Sequence, residues 1–492
     1  MKYILSIDQG TTGSRAILYN KRGRIAASAY AEFGQYFPRP GWVEHKPEEI
    51  WKSVRNTIYK VVRKVPRGSI AAIGITNQRE TTVMWDRFTG RPIHNAIVWQ
   101  CRRTAARCDQ LKKRGGIKFF RDRTGLPVDA YFSATKIEWL LKNVKGALKK
   151  ARNGRLCFGT TDSWVLWKLT GGRAHATDYT NASRTMLFNI KSKRWDKDIL
   201  KRLRIPPSIL PEVKRSSGEF GETIKVAGLP PGIPIAGIAG DQQAALFGQG
   251  CFRPGTMKNT YGTGSFVLLN LGKRSVRSRH GLITTLGCGS TGEPVYVLEG
   301  AIFIAGAAIQ WLRDGLKLLK SASSSQRMAQ SVKDNAGVYF VPALVGLGAP
   351  YWDQDARGTI VGITRGTNEN HLARAGIEAM CYQTRDVLEA MEKDSGLKIR
   401  ELKIDGGAAA NNFLCQFQSD ILSLCVIRPK IIETTSLGAA YLAGLAVGYY
   451  KNAGEIKKLW RRDRIFKPKM AKVRRDALYG AWLDAVRRTL KA

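Results

Sequence analysis

The chain has 492 residues, of which 43% are hydrophobic, and a net charge of +41; this length exceeds what one hydrophobic core supports, which predicts two domains with a cleft between them. The sequence shows no bilayer-length apolar stretch, signal-peptide pattern, C-x-x-C pair or metal-ligand histidine spacing, so we expect a cytoplasmic protein without membrane insertion, disulfide framework or zinc site. The positive charge is spread thinly except in a dense segment after Lys451. A spread excess of this kind indicates a solvated surface that attracts anionic substrates. Because the sequence contains no recognisable nucleic-acid-binding module, we expect no specific nucleic-acid partner.

The first predicted elements are two strands joined by a glycine-threonine turn. The apolar run Tyr3–Ile7 leads into the turn Asp8–Thr12, and Ala16–Tyr19 forms the second strand. Glycine lets backbone N–H groups approach an anion closely, and threonine adds a hydroxyl donor. A turn of the same design, Tyr261–Ser265, follows half the chain later. One such turn in each half predicts a nucleotide held between two related domains, whereas either turn alone fits an ordinary β-hairpin equally well.

Predicted strands and helices alternate through the rest of the first half, which is an α/β pattern. Strands are predicted over 70–76, 81–85 and 96–99, and helices over 47–65, 134–143 and 162–169. Arg79 and Glu80 follow the first of these strands. The pair suits a polyol, because a guanidinium donates two parallel hydrogen bonds and a carboxylate accepts from neighbouring hydroxyls. A surface ion pair is the commoner alternative for an isolated Arg-Glu dipeptide.

A buried strand that turns into a helix is predicted over 236–248, with Asp241 at a glycine-enabled turn between them. Asp241 is placed to accept the proton of an attacking alcohol, and the alternative is a helix N-cap. Glycine clusters follow this helix and predict a domain boundary near residue 250. The predicted domains are therefore residues 1–250 and 251–492.

The second half is predicted to repeat the scheme, with hairpins first and helices over 371–393, 413–422 and 437–447 at the end. Gly287–Gly292 fits the G-x-G-x-x-G pattern but runs into a strand, so it predicts a hairpin turn and not a dinucleotide site. No P-loop motif is present. At Lys403–Asn412 a strand ends in glycines and leads into a helix, a place where adenine or ribose can approach the backbone.

Together these segments resemble the FGGY family of carbohydrate kinases almost from end to end. The shared strings are 7–12, 40–45, 75–82, 99–103, 177–189 and 405–407. The family's first signature is met by Tyr131–Leu140, and its second is nearly met by Gly358–Glu378. The departure is Gly376, where the pattern expects a side chain. A glycine inside that helix is expected to lower local stability by about 1 kcal/mol.

The resemblance implies an α/β protein with two domains of the actin-like, ribonuclease-H-like ATPase fold that close on ATP and substrate. The implied reaction is phosphorylation of glycerol by MgATP to sn-glycerol 3-phosphate, the first step of glycerol catabolism. Carried over residue by residue, the resemblance assigns glycerol to Arg79, Glu80, Trp99, Tyr131, Asp241 and Gln242, with Asp241 as the base.

The same resemblance implies which residues contact the nucleotide. Phosphate contacts fall to Thr11, Thr12, Gly13, Arg15 and Thr263, and adenosine contacts to Gly306, Gln310, Gly407 and Asn411. Asp8 and Asp241 are expected to anchor Mg²⁺ partly through water, since magnesium gives up its hydration shell reluctantly. Relatives often carry serine where this chain has Gly13, so a backbone N–H must contact the phosphate at that position.

Two alternatives remain open at this point. A kinase of the same family acting on another polyol or ketose would share the turns, although Arg79, Glu80 and Trp99 argue against it. A polyanion-binding or scaffold protein with a decayed site would account for the charge, but every expected site position holds competent chemistry. A homo-oligomer is left open as the assembly state.

Overall fold

The structure is a computed structural model that describes residues 1–491. The strands of the first half are β1 Tyr3–Gln9, β2 Gly13–Asn20, β3 Ile25–Glu32, β4 Glu44–His45, β5 Ile70–Asn77, β6 Val83–Asp86, β7 Ala96–Ile97, β8 Leu156–Gly159, β9 Ala176–Asp178, β10 Phe188–Asn189, β11 Arg194–Trp195, β12 Glu212–Lys214, β13 Ser217–Glu222 and β14 Pro234–Gly240. Its helices are α1 Pro47–Val62, α2 Ala105–Leu111, α3 Ile117–Thr124, α4 Ser133–Asn143, α5 Ala147–Arg152, α6 Thr161–Leu169, α7 Tyr179–Ala182, α8 Lys197–Leu203 and α9 Asp241–Gly248.

The second half continues with the same two kinds of element. Its strands are β15 Met257–Tyr261, β16 Ser265–Gly272, β17 Ile283–Cys288, β18 Pro294–Ile302, β19 Tyr339–Val341, β20 Thr359–Val361, β21 Glu401–Asp405, β22 Cys425–Pro429 and β23 Arg462–Phe466. Its helices are α10 Gly306–Asp314, α11 Ser324–Gln330, α12 Glu369–Ser395, α13 Asn412–Leu422, α14 Thr434–Ala446, α15 Ala453–Leu459 and α16 Lys472–Lys491.

The two principal sheets share one topology. The first has the strand order β13-β14-β5-β1-β2-β3, and the second has the order β17-β18-β16-β15-β21-β22-β23. In the first sheet β1, β5 and β14 are parallel, and β2 and β3 continue as an antiparallel meander. In the second sheet β15, β21 and β22 are parallel, and β16 and β18 form the meander. The prediction that the second half repeats the scheme of the first is therefore confirmed.

This repeat gives the two glycine-threonine turns equivalent positions. The first turn joins β1 to β2 and the second joins β15 to β16, each at the end of the strand that begins the parallel set. Both are β-hairpins in outline, so the hairpin and the phosphate-turn interpretations are compatible. Gly287 and Cys288 end strand β17, and the rest of Gly287–Gly292 turns into the antiparallel strand β18, which confirms the hairpin prediction there.

The predicted element types are confirmed, the helix bounds differ by a few residues, and two predicted strands are shortened where the chain turns sharply. The strand predicted from residue 81 begins at Val83, because Glu80 has a left-handed backbone (φ 61°) and the amide of Thr81 donates to the carbonyl of Arg79. The strand predicted over 96–99 ends at Ile97, since the amide of Cys101 donates to the carbonyl of Val98 and closes a turn.

Helix α14 belongs to the second half of the sequence but packs on β1, β5 and β14 of the first sheet and against α9. A glycine allows the close approach: a side chain at position 438 would collide with the carbonyl oxygen of Ala244 in α9. Because α9 begins at Asp241, the packing of α14 against α9 supports the element that positions this carboxylate.

Gly376 lies in the middle of α12 for a similar reason. A side-chain carbon there would approach Leu312 and Ile309 of α10 to 3.0 and 3.2 Å. The departure from the family pattern therefore lets α10, which begins at Gly306, pack closely against α12. Within residues 1–491, no helix combines the length and apolar composition needed to cross a membrane.

Candidate active site

Two carboxylates meet at one edge of the first sheet. Asp8 and Ala239 are both register partners of Thr76 on the parallel strand β5. Asp8 near the carboxyl end of β1 and Asp241 just after β14 therefore lie at the same end of the sheet, on the two strands that flank β5. Burial, and then the charge of Asp241, raise the pKa of Asp8 to about 7, while Arg15 opposes the shift. An acid with so little compensating charge is suited to bind a cation.

Arg79 and Glu80 are buried, with 2% and 1% exposure, so the surface-pair alternative is wrong. The Nε of Arg79 lies 3.1 Å from the Asp241 carboxylate and 3.9 Å from that of Glu80. Its terminal nitrogens donate to Glu299 over 2.5 and 3.0 Å. The two parallel hydrogen bonds expected for a polyol are thus made to a carboxylate from strand β18 of the second half.

Glu299 belongs to a buried cluster of four charges with Arg79, Glu80 and Arg184. The Nε of Arg184 donates to Glu80 over 2.5 Å, and its Nη2 lies 3.1 Å from Glu299. Burial opposes ionisation of Glu299, but Arg184 and Arg79 hold its pKa below the ordinary value. The left-handed backbone of Glu80 fits a strained functional position. The cluster orients Arg79, and through it Asp241.

Two aromatic residues form an apolar wall beside this cluster. The rings of Trp99 and Tyr131 meet edge to face with centroids 5.6 Å apart, and the Arg184 guanidinium lies 5.5 Å from the Tyr131 centroid. The indole N–H of Trp99 donates to the Thr11 hydroxyl over 3.0 Å. The wall of the predicted glycerol pocket is therefore joined directly to the first glycine-threonine turn.

Gln242 differs from the other predicted glycerol contacts because its side chain is paired with a lysine. Its backbone amide donates to Asp241 over 2.7 Å, but its side-chain oxygen accepts from the buried ammonium of Lys258 over 2.5 Å. Burial lowers the pKa of Lys258 to about 8. In this structure the Gln242 side chain therefore links α9 to strand β15 of the second half.

The first turn presents threonine and a cation. Gly13 is buried, and a side-chain carbon there would lie 2.5 Å from the Tyr30 hydroxyl, which is also 3.3 Å from the Thr12 hydroxyl. Tyr30 thus supplies a hydroxyl close to where a serine side chain would begin. Arg15 forms an ion pair with Glu433, the residue before α14, with both side chains about one third exposed.

Two loops of the second half converge on the second turn. The backbone amides of Ala305 and Ala307 donate to the carbonyl of Thr263, and the amide of Gly306 donates to Gly262 over 3.1 Å. Gly406 lies against the backbone of β15 just before this turn, so the adjoining Gly407 lies close to it.

Two predicted adenosine residues lie beyond these loops, Gln310 on α10 and Asn411 immediately before α13. Gln310 is exposed on α10, whereas the Asn411 side chain accepts from the amide of Leu414 and caps α13. The predicted phosphate and adenosine segments are therefore adjacent, although the Asn411 oxygen is occupied by the cap.

A magnesium ion fits the donor set at the sheet edge. Within residues 1–491, no group of three or more His, Cys, Asp and Glu side chains is arranged to hold a metal. Mg²⁺ is usually held by one or two protein carboxylates together with water and substrate phosphates. Asp8 and Asp241 match that requirement; the pKa of Asp8 is raised first by burial and then by the charge of Asp241, and a bound cation would oppose both effects.

Sequence reasoning missed five residues of this region: Arg184, Glu299, Tyr30, Glu433 and Phe266, whose ring centroid lies 5.6 Å from the Arg79 guanidinium. A signal existed for Glu299, a lone carboxylate in the apolar run 295–302, and for Arg184, which lies in the shared string 177–189. The other three are identified only by their spatial neighbours.

Comparison with known proteins gives one consistent result. The model of the FGGY family of carbohydrate kinases, N-terminal domain, matches residues 3–248, and that of the C-terminal domain matches residues 257–447. Glycerol kinase 2 of Thermotoga maritima is 57% identical, covering 100% of this chain and 99% of the relative. Glycerol kinase of Petrotoga mobilis is 59% identical, covering 99% and 98%.

Solved structures agree with the sequence relatives. The crystal structure of Plasmodium falciparum glycerol kinase with ADP superposes with a TM-score of 0.92 at 37% identity, covering 100% of this chain and 98% of that one. A ligand-bound xylulose kinase from Lactobacillus acidophilus has a TM-score of 0.89 at 23% identity, which shows a shared fold. The predicted two-domain α/β fold of the actin-like class is confirmed.

Proposed function

The chain belongs to the FGGY family of carbohydrate kinases, and we propose that it transfers the γ-phosphoryl group of ATP to a terminal hydroxyl of glycerol. The products are sn-glycerol 3-phosphate and ADP. Relatives 57% and 59% identical over nearly their whole length carry the name glycerol kinase. The observation that supports the chemistry best is a partly exposed carboxylate, Asp241, held 3.1 Å from a buried arginine beside two aromatic rings.

In this proposal Trp99 and Tyr131 contact the carbon chain of glycerol, while Arg79, Glu80 and Asp241 contact its hydroxyls. Small-molecule sites usually combine such apolar walls with a few fixed polar groups. Because Arg79 is held by Glu299, it stays in position without substrate. Gln242 is also proposed as a substrate contact. This role requires its side-chain amide to release Lys258 and form a hydrogen bond with a glycerol hydroxyl.

Asp241 acts as the base. It accepts the proton of the glycerol hydroxyl as that oxygen bonds to the γ-phosphorus, and the bond from phosphorus to the bridging oxygen breaks to release ADP. Positioning and charge neutralisation provide most of the acceleration in phosphoryl transfer. Thr11, Thr12, Gly13, Arg15 and Thr263 are proposed to hold the phosphates in line.

The nucleotide and metal assignments complete the proposal. Gly306, Gln310, Gly407 and Asn411 border the adenosine. Asp8 and Asp241 would hold Mg²⁺, which when bound supplies positive charge beside the phosphate oxygens. Arg15 must leave Glu433 to contact a phosphate. We also propose that the two domains divide at residue 250 and that the protein is located in the cytoplasm, where ATP is supplied. A homo-oligomer is the proposed assembly.

A coupled assay of ADP release with and without glycerol tests the function. We expect ADP release that depends on glycerol and on Mg²⁺. A panel of glycerol, erythritol, xylulose and dihydroxyacetone should give the highest kcat/KM with glycerol. A higher kcat/KM for another member of the panel, or no glycerol-dependent release, would refute the proposal.

A further inference from the structure

A cavity of about 720 Å³ lies between the two halves of the chain, and its wall is formed mainly by cations. The lining includes Arg121 from α3, the loop 274–280 between β16 and β17, and Lys393 and Asp394 at the end of α12. Neither glycine-threonine turn nor any proposed glycerol contact belongs to this lining. The cavity is therefore separate from the candidate active site.

The charges of this cavity are unbalanced. Arg121, Arg274, Arg277, Arg279 and Lys393 provide five positive charges against the carboxylate of Asp394. Asp122 pairs with Arg277 over 3.1 Å and lowers the net charge to about three. Within the part of the chain that the structure describes, the Arg279 guanidinium and the Lys393 ammonium make no hydrogen bond or ion pair. Like charges held together repel one another, and an anion between them relieves that repulsion.

The loop that presents the cations is held in place. The Asp394 side chain, 1% exposed, accepts from the Ser278 hydroxyl over 2.5 Å, the amide of Arg279 over 2.8 Å and the His280 ring over 2.7 Å. Arg274 donates to the carbonyl of Ser395 over 3.0 Å. A site ordered before binding loses less conformational entropy when a ligand arrives.

The cavity also joins the two halves. The Arg121 guanidinium donates to the carbonyl of Ser278 over 2.8 Å, and the ion pair between Asp122 and Arg277 crosses the same boundary. An anion bound here would contact groups from both halves.

We propose that this cavity binds a small anion with two or more phosphate groups. Four of its five cations are arginines, whose planar guanidinium matches phosphate oxygens in pairs. A volume of about 720 Å³ is that of a small-molecule site. A single phosphate would leave most of the cations without a partner. The site goes beyond the proposed kinase activity and is independent of it.

The test compares two double variants that each remove two positive charges. Arg279→Gln with Lys393→Gln alters the cavity, whereas Lys149→Gln with Lys150→Gln alters exposed positions on α5. Inorganic phosphate, pyrophosphate and tripolyphosphate are titrated calorimetrically into each purified protein at fixed salt. Any binding to the catalytic turns is common to all three proteins, so the difference between them isolates the cavity.

We expect the affinity of the wild type to rise with the number of phosphate groups. The cavity variant should lose about tenfold or more in tripolyphosphate affinity, while the α5 variant stays close to the wild type. Equal losses in the two variants, or no loss in the cavity variant, would overturn the proposal. Tighter binding of a DNA duplex than of tripolyphosphate through the same two residues would also overturn it. The readout is binding, so it stands whether or not glycerol is the kinase substrate.

Discussion

Replacing Glu299 with glutamine removes one negative charge from the buried cluster that holds Arg79. Glu299 is fully buried, accepts two hydrogen bonds from Arg79 and lies 3.1 Å from Arg184. Removing one partner of a buried ion pair costs about 3–5 kcal/mol. Glutamine keeps one acceptor oxygen, which recovers about 1 kcal/mol, so we expect the free energy of unfolding to fall by about 2–4 kcal/mol.

The same variant should weaken glycerol binding, because Arg79 is then free to turn fully toward Asp241. We expect the KM for glycerol to rise about tenfold or more, which corresponds to about 1.4 kcal/mol. Urea unfolding followed by tryptophan fluorescence measures the stability, and initial rates of ADP release measure the KM.

Glu222→Gln is the matched control, since Glu222 is an exposed strand carboxylate that has no ion pair in the described part of the chain. Its stability should change by no more than about 0.5 kcal/mol. If Glu299→Gln unfolds at the same urea concentration as Glu222→Gln and keeps the wild-type KM, the argument that Glu299 orients Arg79 is refuted.

Three further predictions concern single residues. Asp241→Asn should lower kcat roughly 10²–10⁴-fold while ADP affinity, measured by equilibrium dialysis, is kept; normal turnover would remove Asp241 from its role. Glu433→Gln should lower the KM for ATP about two- to fivefold, because it releases Arg15 from an ion pair of about 1 kcal/mol; an unchanged KM would contradict this. Burial lowers the pKa of His45 from 6.5 to about 4. As the pH drops, the unfolded state therefore takes up the proton before the folded state does. The free energy of unfolding should fall between pH 6.5 and pH 4 by an amount on the order of 3 kcal/mol. His45→Gln should flatten this loss in urea titrations at pH 7 and pH 5, and equal losses in both proteins would exclude His45 as its source.

The sequence alone determined which elements form and where the two turns lie. Alternating strands and helices, glycine-rich strand ends and apolar runs are local signals, and the structure places β1, β5, α9 and β21 where those signals predicted them. Asp241 was identified for the same reason, because it follows directly on a buried strand, whereas the assignment of Asp8 came from the family resemblance.

Only the tertiary structure decided which side chains act together. Arg79 meets Glu299 across 220 positions of sequence, and Gln242 meets Lys258 across the boundary between the halves. The basic cavity combines Arg121 with a loop more than 150 residues away. Hydrophobic period and turn composition constrain neighbours along the chain, whereas the partner of a buried charge is set by how two sheets and their helices pack, and no local pattern in the sequence encodes that contact.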